Sequence, residues 1–175
     1  MKSRAAIQDA HELAALSAGL AVHNLLHGLN LAVISRPDPP DAILSDGSIT
    51  TWMELTDAFF SQAWAMDLSS YASIKGHQPM AKGVYMDMDK QLAINFCDLL
   101  AVKVEKNSYK HLIQQYGPGI LVVGLESPWL DAESIDAIDG EWLDRGSPDF
   151  SGTFAHIYLR YRNASGNQAF AWPRR

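Results

Sequence analysis

Asp41 and Glu54 are the two residues whose types and spacing most directly suggest chemistry, because they flank a predicted β-hairpin. Between them, Asp46-Gly47 lies between short apolar runs and tolerates the positive φ angles that a two-residue turn requires. Two carboxylates brought together by such a ribbon repel each other unless a cation lies between them. Oxygen-only ligation suits hard divalent cations, so the pattern predicts a site for Mg²⁺ or Mn²⁺.

The register of this hairpin decides whether the two carboxylates meet. Counting outward from a turn at Asp46-Gly47 pairs Asp41 with Trp52. Glu54 lies two residues beyond Trp52 and therefore on the same face, which predicts Cβ atoms of Asp41 and Glu54 within about 7–8 Å of each other. The alternative is a pair of solvated surface acids, and a β-bulge would move Glu54 to the opposite face.

Pro40-Asp41 followed by Glu54-Leu55-Thr56 resembles the signature of the restriction-endonuclease-like PD-(D/E)XK nuclease superfamily, in which Pro-Asp is followed on the adjacent strand by Asp/Glu-x-Lys. The resemblance extends over roughly residues 5 to 125, with a helix before the motif and a lysine-bearing helix and an apolar strand after it. Thr56 stands where the family usually has lysine. Branches that read Glu-x-Thr, or that carry the lysine on the following helix, accommodate this departure.

The resemblance implies an α/β fold with a restriction-endonuclease-like core, which is a central mixed β-sheet flanked by helices in the order αβββαβ, here followed by a C-terminal β-hairpin. Residues 1–175 would form a single nuclease-like domain with an insertion at 57–88 and a C-terminal extension at 126–175. The implied activity is divalent-metal-dependent hydrolysis of phosphodiester bonds in nucleic acid, with DNA as the expected substrate. Because of Thr56, the alternative is a catalytically degenerate protein that acts as a binding, accessory or inhibitor module.

The same resemblance assigns roles to single residues. Asp41 and Glu54 would bind Mg²⁺ or Mn²⁺, and Glu12 on the first helix is the matching candidate for a third carboxylate ligand. Thr56 would hold a metal-bound water through its hydroxyl group. For Glu12, the alternative is an ordinary solvated glutamate on a helix.

Several lysines are candidates for the missing basic group. Lys103, Lys106 and Lys110 are spaced three and four apart in the helical pattern of residues 89–116, so they are predicted to form one stripe. One of them would reach over the hairpin to orient the attacking water and stabilise the phosphate charge. Lys75 and Lys82, in the 57–88 insertion, are candidates for contact with the substrate backbone. A solvated basic face is the alternative for the stripe, and ordinary surface charge is the alternative for the other two.

His23 and His27 lie four residues apart on the helix predicted for residues 5–27, a spacing that can bind Zn²⁺. No third ligand is evident nearby in the sequence, and histidine pairs at this spacing are more often packed or surface groups. Zinc is therefore the lesser interpretation of this pair.

Length and composition indicate one globular domain. A chain of 175 residues is long enough to bury a substantial core, and 47% of the residues are hydrophobic. The single cysteine, Cys97, excludes an intrachain disulfide and fits a reducing compartment. Acidic residues interrupt any signal peptide, and residues 13–34 are too polar for a membrane span, so we expect a cytoplasmic protein with no membrane partner. A homodimer and a complex with another protein are both compatible with this sequence.

The charge is distributed unevenly along the chain. The formal net charge is −6, and residues 126–149 contain eight acidic residues against Arg145, a net of −7. The other residues together therefore carry +1, the difference between −6 and −7. Phosphate contacts need Lys and Arg, so this balance argues against tight nonspecific binding of nucleic acid but does not exclude a polyanionic substrate on another face.

The remaining pattern predicts the elements that would position these side chains. Helices are predicted at 5–27, 89–116 and 129–138, and strands at 30–35, on both sides of Asp46-Gly47, at 120–125, at 153–162 and at 168–172. The continuous apolar run at 120–125 is expected to be buried on both faces and so to be central in the sheet.

Overall fold

The computed structural model describes residues 4–70, 76–81, 83, 85–163 and 166–174, with side chains described in these ranges except at 4–8, 163, 166 and 167. Five α-helices are present in these ranges: α1 Arg4–His27, α2 Gln62–Ser70, α3 Met88–Val104, α4 Lys110–Tyr116 and α5 Ala132–Asp144. The six strands are β1 Ala32–Ser35, β2 Ala42–Ser45, β3 Thr50–Phe59, β4 Gly119–Glu126, β5 Phe154–Asn163 and β6 Gly166–Trp172. A single 3₁₀ turn, Asn107–Tyr109, precedes α4.

All six strands form one mixed sheet in the order β1-β2-β3-β4-β5-β6. The first three strands run antiparallel, β3, β4 and β5 are mutually parallel, and β6 returns antiparallel to β5. The predicted α/β class, the flanking helices and the C-terminal hairpin that extends the sheet are confirmed.

Strand β4 is the centre of the sheet, as its sequence predicts. Residues 119–125 are all buried, and the strand pairs with a parallel neighbour on each side. Residues 119–125 carry no polar side chains, which suits this position because helices cover both faces of the strand.

Each face of the sheet packs against its own set of helices. On the face covered by α3, α4 and α5, the buried side chains include Trp52, Phe96, Tyr109 and Leu121. The α1 face is smaller and contains Leu16 from the helix with side chains from β2 to β5. Alternation along each strand sends successive side chains to opposite faces, so polar residues on the strands are also divided between the two layers.

The hairpin between β2 and β3 differs from the prediction in its loop length. Ser45 pairs with Thr50, and not with Ser48 as a two-residue turn requires, so the loop contains the four residues 46–49. The Asp46 carboxylate accepts hydrogen bonds from the backbone N–H groups of Ser48 and Ile49 and thereby closes this longer turn. The predicted pairing of Asp41 with Trp52 is therefore wrong, since Trp52 pairs with Ile43.

This shift of two residues preserves the face of every side chain. Ala42 pairs with Met53, so the register continued by one residue sets Asp41 directly across from Glu54 and not diagonal to it. The period of a strand is two, so a shift by two leaves both carboxylates on one face, whereas a shift by one would have separated them.

The helix predicted for residues 89–116 is interrupted. Helix α3 ends at Val104, the 3₁₀ turn follows at 107–109, and α4 begins at Lys110. The predicted single stripe of Lys103, Lys106 and Lys110 is therefore wrong, because Lys103 lies on α3, Lys106 lies between α3 and the 3₁₀ turn, and Lys110 begins α4.

The insertion at 57–88 contains the end of β3 and helix α2 in its described part. Lys75 and Lys82 lie outside the described residues. In the part of the chain that the structure describes, no helix combines the length and the apolar character needed to cross a lipid bilayer.

Helix α1 packs tightly against the sheet at Gly19. A Cβ atom added there would overlap Cγ2 of Val122 on the central strand. Gly140, on α5, has open space around the corresponding position. The two helical glycines therefore have opposite packing environments.

We predict opposite effects of alanine at these two sites. Gly19→Ala should lower the free energy of unfolding by about 1–3 kcal/mol because the added methyl group overpacks the interface with Val122. Gly140→Ala should raise it by about 0.5–1 kcal/mol because alanine favours the helix. Urea denaturation of both variants measures the difference, and equal effects at the two sites would contradict the close packing of α1.

Candidate functional site

The carboxylate of Glu54 is buried in the middle of β3 and is held by two donors. Lys103 Nζ and the Tyr109 hydroxyl each lie 2.7 Å from Oε1 of Glu54. The Glu54 residue is 5% exposed, and the side chain of Lys103 is 15% exposed. A buried charge requires such pairing, because an uncompensated carboxylate in the interior is strongly destabilising.

Asp41 lies at the start of β2 beside this pair. Its Oδ2 atom accepts a hydrogen bond of 2.7 Å from the backbone N–H of Leu55, which anchors the carboxylate against β3. Burial raises the pKa of the Asp41 carboxyl, the Leu55 bond lowers it, the nearby charge of Glu54 raises it further, and Lys103 lowers it. Asp41, Glu54 and Lys103 thus form one electrostatic group, which is the association predicted from sequence.

Two of the three candidate lysines reach Glu54. Besides Lys103, Lys106 Nζ lies 3.6 Å from Oε1, and its side chain is 41% exposed. Lys106 also lies over the ring of Tyr109, 4.9 Å from the ring centroid. Lys110 is exposed on α4, and no ion pair with Glu54 is found for it in the described part of the chain. The site therefore borders solvent on the side of Lys106.

Tyr109 belongs to the site, although it was not among the residues predicted from the sequence to form it. Its side chain is fully buried between Trp52 and Phe154 and donates its hydroxyl to Glu54. Burial, then the hydrogen bond to Glu54, raises the pKa of the Tyr109 hydroxyl far above its ordinary value, so the group stays a donor. The signal that could have identified it is a tyrosine, with a hydroxyl able to donate, three residues after Lys106.

Glu12 lies near Asp41 but has its own cationic partner. Its Oε2 atom lies 3.0 Å from Arg36, which also contacts Asp9 at 2.9 Å. Glu12 also contributes to the raised pKa of the Asp41 carboxyl, so the two carboxylates lie close enough to interact. Arg36 competes with a metal for Glu12, which places Glu12 at the margin of any cation site.

Thr56 lies two residues beyond Glu54 on β3 and is half-buried, so its side chain points to the same face of the sheet. The structure thus brings together Asp41, Glu54, Thr56 and Lys103 on the α3 face. Lys106 is at the solvent edge of this group, and Lys110 lies outside it.

The donor set at Asp41 and Glu54 fits a hard divalent cation. Both donors to Glu54 bind Oε1, and the Leu55 bond occupies Oδ2 of Asp41. The second oxygen of each carboxylate is therefore the atom suited to metal ligation, and carboxylate oxygens are the ligands that Mg²⁺ and Mn²⁺ prefer. Among the described residues, two groups of three side chains place one ligand atom each within 4.8 Å of the other two. Asp41, Glu54 and Glu12 do not form such a group.

One group with that spacing consists of His11, Asp57 and Glu126, at the carboxyl ends of the parallel strands on the α1 face. Arg160, which is 3% exposed, lies among them, with its Nη2 atom 3.4 Å from Asp57 and 3.2 Å from Glu126. Burial raises the pKa of the Glu126 carboxyl, and Asp57 raises it further. The guanidinium already supplies the positive charge here, so this group is an internal ion-pair network.

The second group consists of His23, His27 and His156. The spacing of His23 and His27 is visible in the sequence, but His156 was not predicted, because it comes from β5, more than 120 residues later in the chain. The period-two pattern of β5 does not reveal which helix will cover the histidine, so only the packing of α1 on the sheet brings the three rings together.

The raised pKa of Asp41 predicts a dependence of stability on pH. Because the folded protein disfavours the ionised Asp41 carboxyl, this group costs nothing below its unfolded pKa and becomes destabilising as the pH rises through the folded pKa. Asp46 is the matched control on the same hairpin, since hydrogen bonds from Ile49 and Ser48 lower its pKa, and its stabilising contribution is lost as the pH falls.

We therefore expect Asp41→Asn to raise the Tm of the metal-free protein at pH 7 and Asp46→Asn to lower it. Both differences should shrink at about pH 3, where the carboxyl groups are protonated in the unfolded chain. Thermal melts followed by circular dichroism in a chelator-treated buffer measure the shifts. A lower Tm for Asp41→Asn at pH 7 would show that the carboxylate is not destabilised in the folded protein.

Comparison of the chain with protein-family models, with curated proteins and with solved structures finds no significant match.

Proposed function

We propose that this protein is a divalent-metal-dependent nuclease that hydrolyses phosphodiester bonds, with its active site at Asp41, Glu54 and Lys103. The observation that carries the proposal is the convergence of two carboxylates and a lysine on one face of the β2-β3 hairpin. The lysine comes from the helix after the hairpin, 49 residues beyond Glu54. In this proposal Lys103 takes the place of the lysine that the PD-(D/E)XK superfamily usually carries where this chain has Thr56.

Asp41 and Glu54 would hold Mg²⁺ or Mn²⁺ through Oδ1 and Oε2, the second oxygen of each carboxylate. When bound there, the cation supplies Lewis-acid polarisation of the phosphate and lowers the pKa of the attacking water. Asp41 is positioned for this by the backbone of Leu55, and Glu54 by Lys103 and Tyr109. Ligands fixed by such hydrogen bonds lose little conformational entropy when a metal binds.

Lys103 would orient the nucleophile and stabilise the negative charge that develops on the phosphate. Its ammonium group lies 2.7 Å from Glu54 and is largely shielded from solvent, where a fixed positive charge acts more strongly than in water. Lys106, at the solvent edge, is the candidate for contact with the phosphate backbone of the substrate, and Thr56 would hold a water molecule through its hydroxyl.

The proposed site lies at the solvent edge marked by Lys106 and is not enclosed in the cavity of about 720 Å³ that α1, α5, β5 and β6 line. An open site of this kind suits a polymer substrate, and outside residues 126–149 the chain carries a net charge of +1. Nucleic acid, with DNA as the expected form, is the substrate class in this proposal. The order of elements from α1 to β4 is one helix, three strands, three helices and a strand, which contains the order αβββαβ expected of the superfamily that the sequence resembles.

The alternative is a nuclease-like protein without catalysis that acts as a binding, accessory or inhibitor module. A specific observation favours it: Lys103 and Tyr109 already satisfy Glu54 without a metal ion. The acidic segment at 126–149, with exposed Trp129 and Leu143, would then be the contact surface for a basic partner. Binding of Mg²⁺ or Mn²⁺ discriminates between the two functions.

We predict that the purified protein cleaves labelled DNA or RNA oligonucleotides with millimolar Mg²⁺ or Mn²⁺. Asp41→Asn should abolish cleavage although it is expected to stabilise the metal-free fold, so the loss cannot be attributed to unfolding. Lys103→Ala should reduce kcat by about 10²–10³-fold because it removes a positive charge that stabilises the negative charge of the transition state. Lys110→Ala, on the neighbouring helix, is the matched control and should retain activity.

Metal binding is tested separately from cleavage. Mg²⁺ or Mn²⁺ that binds only the folded state should raise the Tm of the wild type, and the shift should be absent in Asp41→Asn and present in Asp46→Asn. A metal-dependent shift that is the same in Asp41→Asn and the wild type would overturn the proposed site. A wild type with neither a shift nor cleavage would instead support the binding module.

A further inference from the structure

Three histidines meet on the α1 face of the sheet, opposite the face that contains Glu54. His23 and His27 lie one turn apart near the end of α1, and His156 lies near the start of β5. Their ring centroids are 4.6 Å apart for His23 and His27, 5.0 Å for His23 and His156, and 4.3 Å for His27 and His156. Each ring therefore contacts the other two.

The spacing of their nitrogen atoms is close to that of a metal site. One ring nitrogen from each histidine lies within 4.8 Å of the other two. Tetrahedral zinc with Zn–N bonds of about 2.0–2.1 Å separates its ligand atoms by about 3.3 Å. His27 is exposed, so a rotation of its side chain can close much of this gap while His23 stays packed in the interior.

Tyr158 holds two of the rings from the sheet side. Its buried hydroxyl lies 2.8 Å from Nδ1 of His23 and 3.3 Å from Nε2 of His27. When Nδ1–H of His23 donates its hydrogen bond to the Tyr158 oxygen, the ring is oriented and Nε2 keeps the lone pair that binds a metal, which is how a neighbouring acceptor positions a metal-binding histidine. Burial raises the pKa of the Tyr158 hydroxyl to about 12, so it is a neutral hydroxyl at pH 7.

The cluster consists of nitrogen ligands alone, and its buried member His23 is neutral at pH 7. Burial lowers the pKa of His23 to about 4, and His156 and His27 lower it further through like-charge repulsion. Neutral imidazole is the form that binds metals. Imidazole ligands suit Zn²⁺ and related transition metals, whereas the carboxylates at Asp41 and Glu54 suit Mg²⁺. The two sites thus differ in both metal chemistry and location.

We propose that His23, His27 and His156 bind one Zn²⁺ ion, with the fourth coordination position facing solvent. A cavity of about 300 Å³ is lined by all three histidines and gives access to that position. The ion joins the carboxyl end of α1 to β5 and therefore ties the first helix of the chain to the C-terminal part of the sheet. This site is independent of the proposed nuclease activity.

The test is isothermal titration of the chelator-stripped full chain with Zn²⁺ alone. The Asp41→Asn variant serves as the parent protein, so that the carboxylate site does not contribute. We expect one equivalent of Zn²⁺ per chain, and a reduction in affinity of at least about 10-fold in both His27→Asn and His156→Asn. His111→Asn removes an exposed histidine on α4 and is the matched control, for which we expect unchanged affinity.

A folding defect is separated from a lost ligand by melting each variant with and without Zn²⁺. His27 is exposed at the end of α1, so His27→Asn should fold normally and lose the rise in Tm that Zn²⁺ gives its parent. Substitution of Co²⁺ for Zn²⁺ should give the visible absorption of a tetrahedral nitrogen site in the parent alone. Zinc affinity in His27→Asn and His156→Asn equal to that of the parent would overturn the proposal, whatever the outcome of the nuclease assays.

Discussion

The buried carboxylate of Glu54 is the constraint on which the arrangement of the α3 face depends. It lies in the middle of a parallel strand, where water cannot solvate it, so other parts of the chain must supply its partners. Lys103 and Tyr109 do so from either side of the break after α3. In a continuous helix, six residues would rotate these two side chains about 240° apart, and they could not both face Glu54. The break in the helix therefore allows both side chains to reach the carboxylate.

The sheet separates two kinds of chemistry because its strands alternate. Asp41 and Glu54 lie on the α3 face, and the imidazoles of His23 and His156 lie under α1. A single strand can serve both layers: on β3, Glu54 faces α3, whereas Asp57 faces α1 and pairs with Arg160. The covering helices thus decide which partners the polar side chains of each face meet, although the same strands build both faces.

Local pattern was sufficient for much of the fold. The apolar run of β4 predicted a strand buried on both faces, and the helical spacing before Gly28 predicted α1 nearly to its last residue. The hairpin was predicted with a loop two residues too short, because Asp46 stabilises a longer turn through bonds to Ser48 and Ile49. The prediction that Asp41 and Glu54 lie on one face is nevertheless correct, because side chains alternate with a period of two and the register error was two residues.

The local sequence pattern thus predicted which residues can do chemistry and on which face of the sheet Asp41 and Glu54 lie. It did not predict the contacts between segments that are distant in the chain. Three lysines fit one helical stripe, but only the interruption of that helix selected Lys103 as the closest partner of Glu54. His156 became a neighbour of His23 through the docking of α1 on β5. Secondary structure depends on neighbours along the chain, whereas side chains more than 100 residues apart meet only after the layers pack, and the layers pack to bury their apolar faces.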